Sequence, residues 1–132
     1  MAALVLDTSA IIALLTEEPD APRIFTVLEQ AEARGVGAPT LSETGVVLGM
    51  KLGFSQRLLQ RFIQEFSINV MPFGDPHWQT AVLAYERYGK GRHPAKLNFG
   101  DCLSYACAKL AKQPLLCKGD DFPQTDLELV RY

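Results

Sequence analysis

The chain has 132 residues, 48% of them hydrophobic, which is the length of a single domain (residues 1–132) and enough to bury roughly two-thirds of the unfolded surface without staples. A net charge of -2 and a sequence pI of about 5.6 exclude the global basic field that alone announces a nucleic-acid binder, so a polyanion must be met locally. No apolar stretch approaches the roughly 20 residues of a membrane span, and the chain enters a strand without an export signal, so it is expected in the cytoplasm.

The first run, about residues 3 to 7, reads as a buried strand that stops at a carboxylate, Asp7, and then offers Thr8 and Ser9 to open a helix over Ala10 to Thr16. A second helix spans about Ala21 to Arg34, with Ile24, Val27 and Leu28 on one face and Gly35 as its stop. A brief strand, Val36 to Ala38, precedes a helix from Pro39 and Thr40 whose stripe is Leu41, Gly45, Leu48 and Leu52. Ser55 caps the next helix, where Leu58, Leu59, Phe62, Ile63 and Phe66 repeat at helical spacing. Ile68 to Pro72 reads as a strand, and Asp75-Pro76 opens a helix expected to bury Trp78, Ala81, Val82 and Tyr85. Residues 89 to 98 form a basic loop, Asp101 starts a helix with Leu103, Ala106 and Leu110 inward, and strands follow at Leu115 to Cys117 and about Leu127 to Val130.

Strands alternating with helices imply an α/β fold with a mainly parallel sheet of four to five strands, covered on both faces because parallel neighbours need crossovers. Ligands on such sheets bind beyond the carboxyl ends of the strands, near the point where strand order reverses. Asp7 and the pair Asp120-Asp121 follow strands directly and belong at that edge.

Asp7, Glu43, Asp101 and Asp120-Asp121 each sit where an apolar run or turn meets a helix start, and each has an ordinary structural explanation. Asp and Glu favour helix N-termini, Thr40-Leu-Ser-Glu43 matches a capping box, and Asp120-Asp121 after Gly119 can be a solvated turn. Taken together, acids from distant stretches that the fold can gather point to a site for Mg²⁺ or Mn²⁺, since carboxylates repel unless a cation sits between them. Zinc has no ligand set here: Cys102, Cys107 and Cys117 lack the spacing and read as reduced core thiols, and His77 and His93 are the only imidazoles.

The stretches Val5 to Leu15, Leu41 to Thr44, Gly89 to Ala106 and Pro114 to Leu127 together resemble a PIN-domain ribonuclease of the VapC toxin type, and the resemblance covers essentially the whole chain. It implies a three-layer α/β/α sandwich, Mg²⁺-dependent endoribonuclease activity leaving a 5′-phosphate and a 3′-hydroxyl, a cognate antitoxin protein, and a homodimer. Asp7, Glu43 and Asp101 match the family's three main acids, which position metal and water. Many members place a fourth acid two residues after a threonine at the end of the fourth strand; Cys117 and Gly119 occupy that pattern here, so Asp120 or Asp121 must substitute, with Asp120 preferred on spacing from Asp101.

RNA would be met locally by Lys90, Arg92, His93 and Lys96 before Asp101 and by Lys118 beside the fourth acid, with Thr8 and Ser9 adding hydroxyls at the cleft. Tyr88 or Phe99 could stack an unpaired base. The helix Leu58 to Phe66, with the one over Val46 to Leu52, could offer a groove to an antitoxin helix, although core packing explains the same spacing. Two competing readings remain: metal-independent cleavage by His77 and His93 as acid and base, and a non-catalytic protein-binding module whose acids are caps.

Overall fold

A computed structural model describes residues 2–132. The sheet is built from β1 (Leu4–Leu6), β2 (Arg34–Gly37), β3 (Asn69–Met71) and β4 (Leu115–Leu116), all parallel in the order β3-β2-β1-β4. Between them run α1 (Thr8–Leu15), α2 (Ala21–Gln30), α3 (Ala38–Leu52), α4 (Arg57–Glu65), α5 (Asp75–Tyr88) and α6 (Phe99–Ala111), and a 3-10 turn covers Phe122–Gln124. The expected fifth strand is reduced to one bridge between Leu115 and Leu129.

Alternation along the strands produces the three layers. Leu4, Leu6 and Leu116 point into a core with Ile11, Ile24, Leu28 and Phe62 from α1, α2 and α4. Val5 and Leu115 point the other way, into a core with Ala81, Ala84 and Tyr88 of α5 and Tyr105 and Ala106 of α6. Such near-continuous apolar strands are what a sheet buried on both faces requires. The chain steps outward from β1 to β2 and β3, then returns to place β4 on the opposite side of β1. Strand order therefore reverses between β1 and β4, and the crevice at their carboxyl ends is where an open α/β sheet takes its ligand.

Several expectations need correction. Gly35 does not stop α2; it lies inside β2, where a Cβ would overlap the Met71 sulfur of β3. The helix ends earlier because Arg34 satisfies its free carbonyls. The guanidinium donates to Leu28 O (2.5 Å), Ala31 O (3.0 Å) and Phe66 O (2.9 Å), so Arg34 joins β2 instead. On α5 the inward face is Ala81, Ala84 and Tyr88, while Trp78, Val82 and Tyr85 are exposed: alanines let α5 approach α6 closely and leave the larger side chains outside. Leu52 and Leu110 are likewise exposed, and α3 turns Thr40, Thr44 and Leu48 inward. The three cysteines are free and buried as expected; burial raises the thiols of Cys102 and Cys107 to about 11 and that of Cys117 to about 12.

Candidate active site

Asp7 is the first residue beyond β1 and caps α1, with extended backbone (φ -94°, ψ 157°). It is only 4% exposed. Its Oδ2 accepts from the Ser9 backbone N–H (3.0 Å) and the Ser9 hydroxyl (2.6 Å), and its Oδ1 accepts from the Ser104 hydroxyl of α6 (2.5 Å). Ser104 is itself fully buried and lies 3.3 Å from the Thr40 hydroxyl; having given its proton to Asp7, it receives one from Thr40. Ser9 also accepts from the Lys118 backbone N–H (2.9 Å), which ties the end of β1 to the segment leaving β4.

Glu43 comes from the second turn of α3. The capping box that the sequence permits with Thr40 does not form, because the helix starts at Ala38 after Gly37 and Thr40 is buried against Ser104. The Glu43 carboxylate turns to the site instead: Oε1 accepts from the Thr8 hydroxyl (2.7 Å), and the group lies against Gly100, where a Cβ would overlap it. Thr44 supports this arrangement, with its hydroxyl 3.1 Å from that of Thr8 and donating to Thr40 O (2.8 Å).

Asp101 stands in the first turn of α6 and does form a capping box. Its Oδ2 accepts from the Asn98 N–H (3.0 Å), and its own N–H donates to Asn98 Oδ1 (2.8 Å). Capping does not account for its electrostatics. Burial, together with the negative charges of Asp7, Asp121 and Glu43, raises the Asp101 carboxyl from 3.8 to about 6 against the lowering effect of the Asn98 N–H. Among the described residues none of Asp7, Glu43, Asp101, Asp120 and Asp121 has an ion-pair partner. Acids from the end of β1, from α3 and from the start of α6 thus lie around the first turns of α6, through Ser104 and Gly100, and the charges of Asp7, Glu43 and Asp121 act on Asp101.

A PIN domain family model matches residues 4–128. Ribonuclease VapC36 of Mycobacterium tuberculosis is 43% identical over 127 residues, covering 95% of this chain and 91% of that protein. Ribonuclease VapC of Mycolicibacterium smegmatis is 41% identical over 128 residues, covering 96% of this chain and 99% of that one. The chain belongs to the PIN-domain family and is of the VapC type. Among solved structures, VapC20 of Mycobacterium tuberculosis superposes with a TM-score of 0.78 at 16% identity, covering 98% of this chain and 99% of that one. VapBC2 from Rickettsia felis, bound to a promoter DNA fragment, gives 0.75 at 12% identity with 98% of both chains covered. Both share the three-layer fold of this PIN domain.

Around the acids of this VapC-type domain, the sequence-selected cations differ in availability. Lys90 and Lys96 are exposed on a loop closed by Lys90 N–H to Leu97 O (2.9 Å) and Leu97 N–H to Tyr88 O (3.0 Å). Arg92 donates through Nε to Glu86 O (3.0 Å), leaving its terminal amino groups outward. The Lys118 ammonium is engaged by Glu18 (2.6 Å) and Asp20 (3.8 Å), so a phosphate must compete for it. His93 accepts at Nδ1 from the Ala95 N–H and packs edge-on against Tyr88. His77 stands at the opposite end of α5, separated from Tyr88 by about 16 Å of helix rise, so the two imidazoles cannot flank one phosphodiester. Tyr88 is buried, whereas Phe99 is 74% exposed.

Three participants escape sequence reasoning: Ser104, Thr40 and Thr44, whose hydroxyls orient the acids. The one available signal is a serine three residues after Asp101, on an otherwise apolar inward stripe of α6. A fourth, Asp126, accepts from Tyr105 (2.7 Å) and Lys109 (2.8 Å) and so clasps the segment after Asp121 to α6.

Proposed function

We propose that this chain is the toxin of a toxin–antitoxin pair, an endoribonuclease that hydrolyses RNA phosphodiester bonds with a water activated at a divalent cation held by clustered carboxylates. The observation that carries the reading is the placement of three acids around the first turns of α6: Asp101 stands in the first turn, Glu43 lies against Gly100, and Asp7 accepts from Ser104, so that their like charges act on Asp101 at a cost a bound ion would offset. The names of the similar proteins support it: the relatives are ribonucleases, VapC20 is described as cleaving the sarcin-ricin loop, and the Rickettsia protein is a VapBC complex.

The donor set fits a hard cation. A carboxylate offers about four acceptor sites; Asp7 uses three on Ser9 and Ser104 across both its oxygens, Glu43 uses one oxygen on Thr8, and Asp101 uses one on Asn98, so each keeps at least one acceptor site. Among the described residues no three such side chains already converge as direct ligands. Magnesium keeps several waters and takes only one or two carboxylates, so Asp7 and Asp101 are the residues that would hold Mg²⁺ or Mn²⁺, with Glu43 and Asp121 beside them. Such an ion supplies an acidified water and offsets charge developing on the phosphate. The protein's part is to hold Asp7 rigid through Ser9 and Ser104 and to hold Glu43 through Thr8, where its carboxylate would accept the proton of the water. Asp121 is preferred to Asp120 as the fourth acid because its charge reaches Asp101. Lys90, Arg92 and Lys96 take flanking phosphates, so their loss should lower the salt slope of binding.

The antitoxin helix is assigned to the groove between α3 and α4, about 510 Å³, lined by Leu41, Val46, Phe54, Leu59 and Ile63. An amphipathic helix seats apolar anchors in a groove of this kind. The proposed homodimer is tested by light scattering. The function itself is tested by Asp7→Asn and Asp101→Asn: each should abolish RNA cleavage with a melting temperature near that of the parent. Full activity in both would remove the acids from the chemistry, and unfolding in both would favour a purely structural role.

A further inference from the structure

The geometry points to a nucleobase-binding hollow between α5 and α6 that holds an unpaired base of the RNA next to the cleaved bond, with Phe99 as its stacking platform. The inference rests on the ribonuclease reading and adds how that site selects its substrate. The hollow is about 600 Å³, floored by Ala81 and Cys102, walled by Val82 and Tyr85, and rimmed by Arg92 and Phe99. That is the size of a small-ligand pocket.

Its position follows from the first turn of α6. At 100° per residue, Gly100 and Ser104 turn toward Glu43 and Asp7, whereas Phe99 and Cys102 turn to the α5 side. The hollow and the acids therefore flank the same helix turn, about one helix diameter of 10 Å apart. An exposed phenylalanine at the start of a helix gains nothing from burial; a base can use its whole ring.

Charge separates what the hollow takes from what surrounds it. Glu86 and Arg92 offset each other on the rim and leave the hollow without net charge, while Lys90 and Lys96 lie on the adjoining loop. The uncharged base thus suits the apolar hollow, and the loop cations suit its backbone. Recognition of this form demands single-stranded RNA, since stacking on a side chain requires a base out of its duplex.

The test is binding of a single-stranded RNA carrying 2-aminopurine at successive positions to the full chain in chelator, alongside cleavage of the same RNA in Mg²⁺. One position should be quenched on binding. Phe99→Ala should remove that quench and weaken binding roughly tenfold, Phe99→Tyr should restore both, and all three proteins should melt alike. If Phe99→Ala binds and quenches as the parent does, while the parent still cleaves, the hollow is not a base site and the ribonuclease reading stands. A change in oligomeric state with unaltered RNA binding would make this face a contact between copies and likewise overturn the inference. If the parent neither binds nor cleaves RNA, the functional reading fails and the base site with it.

Discussion

Ser104 donates to Asp7 at 2.5 Å across a sequence separation of 97 residues, joining the middle of α6 to the end of β1. The bond lies in a fully buried position and is relayed to Thr40 of α3, so one hydroxyl fixes three elements around the first acid. Ser104→Ala should cost about 1 to 3 kcal/mol, because an acceptor of Asp7 and the donor of Thr40 both lose a partner. Activity should fall at least tenfold while the far-ultraviolet spectrum is retained. Urea unfolding and single-turnover cleavage check the two effects separately.

Gly100 gives a sharper separation of stability from activity. A methyl group there overlaps the Glu43 carboxylate, which is the movable end of a long side chain, so Glu43 is displaced and the backbone is not. Alanine is favoured over glycine within a helix by up to about 1 kcal/mol. Gly100→Ala should therefore melt at or above the parent temperature and lose more than tenfold in cleavage. In a Glu43→Ala background the same change should have no further effect on rate.

The raised Asp101 carboxyl makes a pH prediction for the metal-free protein. A group whose folded value, about 6, exceeds its ordinary 3.8 adds stability that is present in full below 3.8 and is lost as pH rises through 6. The melting-temperature advantage of Asp101→Asn over the parent should accordingly grow between pH 4 and pH 7. Added Mg²⁺ should narrow it by stabilising the parent alone. Thermal scans at several pH values, with and without the ion, measure this directly.

Asp120 and Asp121 should behave differently although they are adjacent and both exposed. Asp121 is among the larger charges acting on Asp101. Asp121→Asn should raise the Mg²⁺ concentration needed for half-maximal cleavage several-fold, whereas Asp120→Asn should leave it within about twofold of the parent. Equal effects in the two variants would remove the distinction.

The layer order and the sheet edge were readable in the sequence because apolar runs of β length alternate with helical stripes, and Asp7 closes the first run. Boundaries were less readable where a distant group intervenes: Arg34 reaches carbonyls of Leu28 and Phe66, and no local pattern around Gly35 reveals that. Hydrophobicity alone puts Trp78 and Val82 in the core, but the alanines of α5 set the helix approach and leave them outside. Asp7, Glu43 and Asp101 stand out as acids at helix starts, with Thr8 and Ser9 as hydroxyls beside them, whereas Ser104, Thr40 and Thr44 do not, since a buried serine or threonine looks like any small residue until its partner is placed.

Cleavage of a single-stranded RNA by the purified chain, in chelator and after Mg²⁺ is restored, with fragment ends read by mass spectrometry, bears most directly on the carboxylate site. The expected result is no cleavage in chelator, recovery with Mg²⁺, and fragments carrying 5′-phosphates and 3′-hydroxyls. Undiminished cleavage in chelator, with cyclic phosphate ends, would contradict a cation held by Asp7, Glu43 and Asp101.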